Sequence, residues 1–147
     1  MLFKFPKGFL WGAATSAYQV EGGIKNDWSE VGEKFNAGRA CDHYNRYEED
    51  FDIAKFLGHN AHRFSIEWSR IEPEEGKFDE REVEHYRKII MTLRARGLEP
   101  FITLWHWTQP IWIADIGGWK NRKTVDYFLR FTEKIVGEFK KDVFFWI

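Results

Sequence analysis

Three short stretches of this 147-residue chain hold most of the side chains able to do chemistry on a small polar molecule. They are Tyr18, Gln19 and Glu21 in "SAYQVEGG", Arg63, Glu67, Trp68 and Arg70 in "HRFSIEWSR", and His106 with Trp107 in "TLWHW". Gln19 offers both donors and an acceptor, as does His106 in its neutral form. Trp68 and Trp107 each add a flat apolar face and one N–H donor. A ring carrying hydroxyl groups needs neutral donors and acceptors at its rim and a flat surface under its C–H face. The set therefore suits a sugar better than a phosphate or a carboxylate. Arg63 is different in kind. A cation in the middle of an apolar segment needs an anion or several carbonyls, and a carboxylate held beside it stays ionised. That carboxylate can be structural or catalytic. Gln19 as a loop tie and His106 as a satisfied core histidine are the plainer readings of those two residues.

Other clusters carry less. "CDHY" (41–44) brings Cys, Asp and His together without any CxxC, HxxxH or HExxH spacing, so no metal site is expected and Asp42 reads as a helix cap. The acidic run "EPEEGKFDEREVE" (72–84) surrounds a turn and a helix start, where carboxylates suit the helix dipole, and reads as a solvated face. Glu67 alone cannot run the paired acid/base chemistry of glycoside cleavage.

The elements that must position these residues follow from the hydrophobic rhythm. "GFLWGAATSA" (8–17) reads as a short strand entering a small-residue loop. From Asp42 to Leu57 a helical stripe is predicted through Tyr44, Tyr47, Phe51, Ala54 and Leu57, with Gly58 as its stop. "NAHRFSIEWSR" (60–70) alternates His62, Phe64, Ile66 and Trp68 against Arg63, Ser65, Glu67 and Ser69, a strand pattern. Asp79 then caps a helix to Arg96 whose inward face is Val83, Tyr86, Ile90 and Leu93, closed by Gly97. "EPFITLWHW" (99–107) is the third strand. A helix over about 122–140, capped by Asn121, turns Val125, Phe128, Phe131 or Thr132, Ile135 and Phe139 inward. "VFFWI" (143–147) is the fourth strand.

Strands alternating with helices at a spacing of about 40 residues indicate parallel βαβ units. A doubly wound sheet shares that rhythm, but "LWGAATSA" lacks the GxGxxG or GKS/T loop of its phosphate-binding versions. A (β/α)8 barrel needs eight strands. The expected fold is therefore α/β, the N-terminal half of a (β/α)8 barrel, with residues 1–147 as a single incomplete domain ending in the fourth strand. In such folds the working residues lie at the C-terminal ends of strands and in the loops that follow, where the three stretches fall.

Composition excludes several classes. The net charge of −1, from 22 basic and 23 acidic residues, gives no electrostatic footprint for nucleic acid or a membrane surface. No segment is apolar enough for a signal peptide or a membrane span, and one cysteine, Cys41, cannot form an internal disulfide. The cytoplasm is the default expectation. Aromatics at 18%, with 8 Trp and 14 Phe, fit a large core plus a minority lining a concave site.

Five long motifs in register give the chain a family resemblance: "FLWGAATSAYQVEGG" (9–23), "ACDHYNRYEED" (40–50), "HRFSIEWSRIEPEEGKFDE" (62–80), "GLEPFITLWHWTQP" (97–110) and "GGWKNRKTVDYF" (117–128). It resembles glycoside hydrolase family 1, the β-glucosidases and β-glycosidases. The resemblance implies a (β/α)8 barrel that hydrolyses terminal β-linked sugars with retention and needs no cofactor or metal. It implies that Gln19, His106 and Trp107 bind hydroxyls of the sugar being cleaved. It also implies that Arg63 lies against the nucleophilic carboxylate and keeps it charged.

The chain departs from the family's usual pattern at four places. Thr108 stands where an Asp is common, Glu67 where many members have Ser, His62 where Tyr is usual, and the segment between Gly23 and Ala40 is short. In the family, a strand like "VFFWI" continues into an Asn-Glu-Pro motif whose Glu is the acid/base, and the nucleophile follows later still. Retaining cleavage needs both carboxylates at about 5–5.5 Å. The expectation is a chain that carries part of a sugar pocket and is inactive by itself. It is expected to self-associate or to pair with a chain supplying the other half of the barrel. The alternative is a non-catalytic sugar-binding or interaction module derived from such an enzyme.

Overall fold

Four short segments pair into one parallel sheet in the order β1-β2-β3-β4. The computed structural model describes residues 3–147. The strands are β1 (Gly12–Ala14), β2 (Ala61–Ser65), β3 (Glu99–Thr103) and β4 (Phe145–Trp146). Their sequential order and common direction are those of consecutive βα units. The register aligns Ala14 with Arg63, Arg63 with Phe101, and Phe101 with Phe145 across the sheet. Side chains alternate along a strand, so this row lies on one face, while Phe64 and Ile102 lie on the other. Phe101 and Phe145 stack in that row with ring centroids 4.2 Å apart.

The helices are α1 (Ala17–Val20), α2 (His43–Phe56), α3 (Trp68–Ile71), α4 (Glu80–Ala95), α5 (Ile111–Asp115) and α6 (Lys123–Phe139). All but α1, which packs with Ile24, cover the Phe64–Ile102 face. One core joins Phe51 of α2, Trp68 and Ile71 of α3, Tyr86, Ile90 and Leu93 of α4, and Phe131, Ile135 and Phe139 of α6 to Phe64 and Ile102 of the sheet. The α4 stripe is as the periodicity predicts, with Val83, Tyr86, Ile90 and Leu93 all buried. The Asp79 side chain accepts the Arg81 N–H, a true N-cap. No helix among the described residues is long and apolar enough to cross a membrane.

Several local expectations are corrected. The second strand ends at Ser65 rather than running to Arg70, because the chain turns into α3 at Trp68. Asp42 precedes α2 but does not cap it with its side chain. At φ 57° its carboxylate accepts from the Arg39 and Asn45 side chains instead. Leu57 falls beyond the last turn of α2 and is exposed, as is Val125 in the first turn of α6. There Thr124 is the buried residue, its hydroxyl donating to the Gly118 carbonyl at 2.7 Å. Asn121 does accept the Lys123 N–H at 3.0 Å, as a cap should.

Candidate functional site

The C-terminal ends of β1, β2 and β3 face the same way, so the loops after them converge. Hydrogen bonds lock the first loop to β2: the Thr15 N–H donates to the Arg63 carbonyl at 2.9 Å and the Ala17 N–H to Ser65 Oγ at 2.7 Å. This fixes the turn from which Gln19 projects. Gln19 is exposed, and its Oε1 accepts from Ser16 Oγ at 2.7 Å, which orients the amide.

Arg63 is half-buried on the open face of the sheet, and its guanidinium donates to the Thr15 carbonyl at 2.7 Å. Two other arginines, Arg70 and Arg130, form ion pairs with the buried Glu21 and Glu72. Arg63 forms none among the described residues. His106, half-buried in the loop just after β3, is close enough to Arg63 to feel its charge. Burial first, and that positive charge second, hold the imidazole below its ordinary pKa. It is therefore neutral near pH 7 and able both to donate and to accept. Trp107 is 64% exposed, its indole turned outward beside that of Trp105.

The other candidates of the same stretches are structural. Tyr18 is buried and donates to the Phe35 carbonyl at 2.8 Å. Trp68 is 1% exposed, stacks on Phe131, and donates its indole N–H to Glu72 at 2.9 Å, so it offers no face to a ligand. Arg70 binds Glu21 at 2.8 Å and the Gly22 carbonyl at 2.7 Å. Tyr86 donates to the other oxygen of Glu21 at 2.8 Å. Burial outweighs the opposing pull of Arg70 and Tyr86 and pushes Glu21 up to about 7. Glu72 is a further correction. It belongs to the acidic run that reads as solvated, yet it is fully buried and accepts from Trp68, the Gly76 N–H and Arg130. Its position next to the apolar Trp68–Ile71 turn, unlike that of Glu74 and Glu75, is the signal in the sequence that could have found it. Among the described residues no cluster of three His, Cys, Asp or Glu could hold a metal ion.

The arrangement offers neutral hydrogen-bonding groups (Gln19, His106), an exposed indole and an unmatched cation at one end of a parallel sheet. Residues 2–147 match the profile described as Glycosyl hydrolase family 1. The chain is 43% identical over 145 residues to β-glucosidase A of Acetivibrio thermocellus, covering 89% of this chain and 32% of that protein. It is 40% identical to β-glucosidase A of Thermotoga maritima over 158 aligned positions, covering 98% of this chain and 35% of the relative. A β-glucosidase structure from Exiguobacterium marinum superposes with a TM-score of 0.93 at 38% identity, over 99% of this chain and 36% of that one. The chain thus spans about a third of the length of the curated relatives it matches. With a partial α/β barrel, five motifs in register and a profile match over nearly every residue, the chain belongs to glycosyl hydrolase family 1.

Proposed function

We propose that residues 1–147 form one wall of the sugar pocket of a retaining β-glycosidase acting on terminal β-linked sugars, with Gln19, His106 and Trp107 contacting the sugar. Arg63 carries the reading. A half-buried guanidinium on the open face of the sheet, with only a carbonyl as partner, is suited to hold an anion, and the nucleophilic carboxylate of a retaining glycosidase is such an anion. Neutral His106 next to it suits a hydroxyl better than a charged group. The 147-residue polypeptide by itself binds sugar weakly and does not hydrolyse it, because no pair of carboxylates among the described residues flanks these groups and covalent cleavage needs both.

Two assays on the purified 147-residue chain test this. Incubation with an aryl β-glucoside is expected to release no phenol above the uncatalysed rate, and measurable turnover overturns the inactivity. Titration with cellobiose, followed by tryptophan fluorescence, is expected to give weak saturable binding that Gln19→Ala abolishes. Binding unchanged in Gln19→Ala removes that residue from the site.

A further inference from the structure

Among the described residues Trp107 is one of three other than glycine with positive φ, at 75°. Its neighbours close the turn around it: the Thr108 N–H donates to the His106 carbonyl at 3.0 Å. A three-residue turn of that hydrogen bond and that sign of φ is the rare, strained form of the γ-turn. A bulky aromatic residue holds such a conformation only where its surroundings impose it. Trp107 cannot impose it, because its own side chain is mostly in solvent.

The restraint lies one residue on. Thr108 is 4% exposed, and its single hydroxyl hydrogen is shared between the two carboxylate oxygens of Glu67, at 2.9 and 3.1 Å. Glu67 is 3% exposed and is itself held from several sides. Ser69 Oγ donates to it at 2.8 Å, the Asn26 amide lies at 3.4 Å, and its own N–H donates to the Tyr86 hydroxyl at 3.0 Å. Asn26 belongs to the connection after β1, Glu67 and Ser69 to the connection after β2 that includes α3, and Thr108 to the connection after β3. The next residue continues the stitch, as the Gln109 N–H donates to Asp27 at 2.9 Å. One buried carboxylate therefore joins three loops at the base of the turn.

Glu67 and Thr108 are also two of the three single residues at which the sequence departs from the usual family pattern. Their meeting in one hydrogen bond makes them a single departure: carboxylate and hydroxyl stand at 67 and 108, where Ser and Asp are common. We propose that Glu67 and Thr108 are a positioning pair that holds the strained turn presenting His106 and Trp107. The bearing of this pair on sugar binding rests on the function proposed above, whereas its bearing on the turn does not.

The test is fluorine NMR of the 147-residue chain labelled with 5-fluorotryptophan, with the Trp107 signal assigned through Trp107→Phe. Thr108→Val is expected to move the Trp107 signal toward that of a free indole while the signals of buried Trp68 and half-buried Trp112 stay in place. Thr108→Ser, which keeps the hydroxyl, is expected to leave it. Glu67→Ser and Thr108→Asp should each displace the signal, and the double variant should return it. A Trp107 signal indifferent to Thr108→Val, or a double variant displaced as far as the sum of the singles, overturns the pairing. If Glu67→Ser does not fold, the comparison of Val with Ser at 108 still decides. Cellobiose added to the unmutated chain separates the two readings. A Trp107 signal that never responds to it removes the sugar contact, while the pair stands or falls on the variants alone.

Discussion

At the scale of single residues, the buried titratable groups pull stability in opposite directions with pH. Glu21 sits at about 7 when folded against an ordinary value of 4.5, so the folded state holds a proton that the unfolded chain has lost. Its contribution is complete below about 4.5 and declines as pH rises through 7. His62 and His85 run the other way. Burial, first among the causes, lowers each to about 4 from 6.5, so their contribution is complete above about 6.5 and is lost as pH falls toward 4. From about 4.5 to 6.5 the histidines, His106 among them, outweigh the one carboxyl and stability rises. Above 6.5 the histidine contribution nears completion while Glu21 goes on losing its proton up to about 7, so the rise levels off. Urea midpoints are expected to climb from acid pH and to level off near neutrality. Glu21→Gln should steepen that climb. His85→Phe, which keeps the stack on Tyr44, should flatten the acidic limb. A climb no steeper in Glu21→Gln would show that the carboxyl does not oppose it.

Elements depend on a few close approaches. A Cβ on Gly12 would come within 2.4 Å of the Ala61 carbonyl, because β1 and β2 approach too closely there for a side chain. Gly12→Ala is therefore expected to push β1 off the sheet and cost more than 1 kcal/mol, on the order of the larger single-mutation effects. It should also loosen Gln19, whose loop is tied to β2. Asp79→Ala removes the side-chain cap of α4 and is expected to cost about 1 kcal/mol. Denaturant midpoints at constant slope check both. A Gly12→Ala cost no larger than that of Asp79→Ala would mean that β1 adjusts without parting from β2.

Across the whole molecule, the sheet is open at β1 and at β4. Phe144, Phe145 and Ile147 are exposed around β4, and Phe5, Phe9 and Trp11 form an exposed aromatic group before β1. Unpaired strand edges with apolar side chains are templates for association. The 147-residue chain is expected to self-associate across the micromolar range in sedimentation velocity. Phe144→Glu with Ile147→Lys should shift it toward monomer, since edge charges oppose pairing. A wild-type chain that stays monomeric over that range would contradict this. Supply of the remaining strands by another chain would suppress self-association in the same assay.

The rhythm of apolar residues determined the parallel βα order, the long helices and the C-terminal strand ends where Gln19, His106 and Trp107 lie. Those features depend on patterns local to each segment: Val83, Tyr86, Ile90 and Leu93 repeat at helical spacing and are buried together. The motifs were enough to identify the family. Contacts between distant segments were decided only by the tertiary structure. Trp68 and Gln19 looked equally available for a ligand, but Phe131, more than 60 residues away, covers one while the other stays exposed among the described residues. Glu72 looked solvated until Arg130 reached it across the fold. Glu67 and Thr108, two isolated oddities along the chain, are one hydrogen-bonded pair in space. Whether a polar residue serves a ligand or the core depends on which distant groups fold over it, and local periodicity carries no record of those groups.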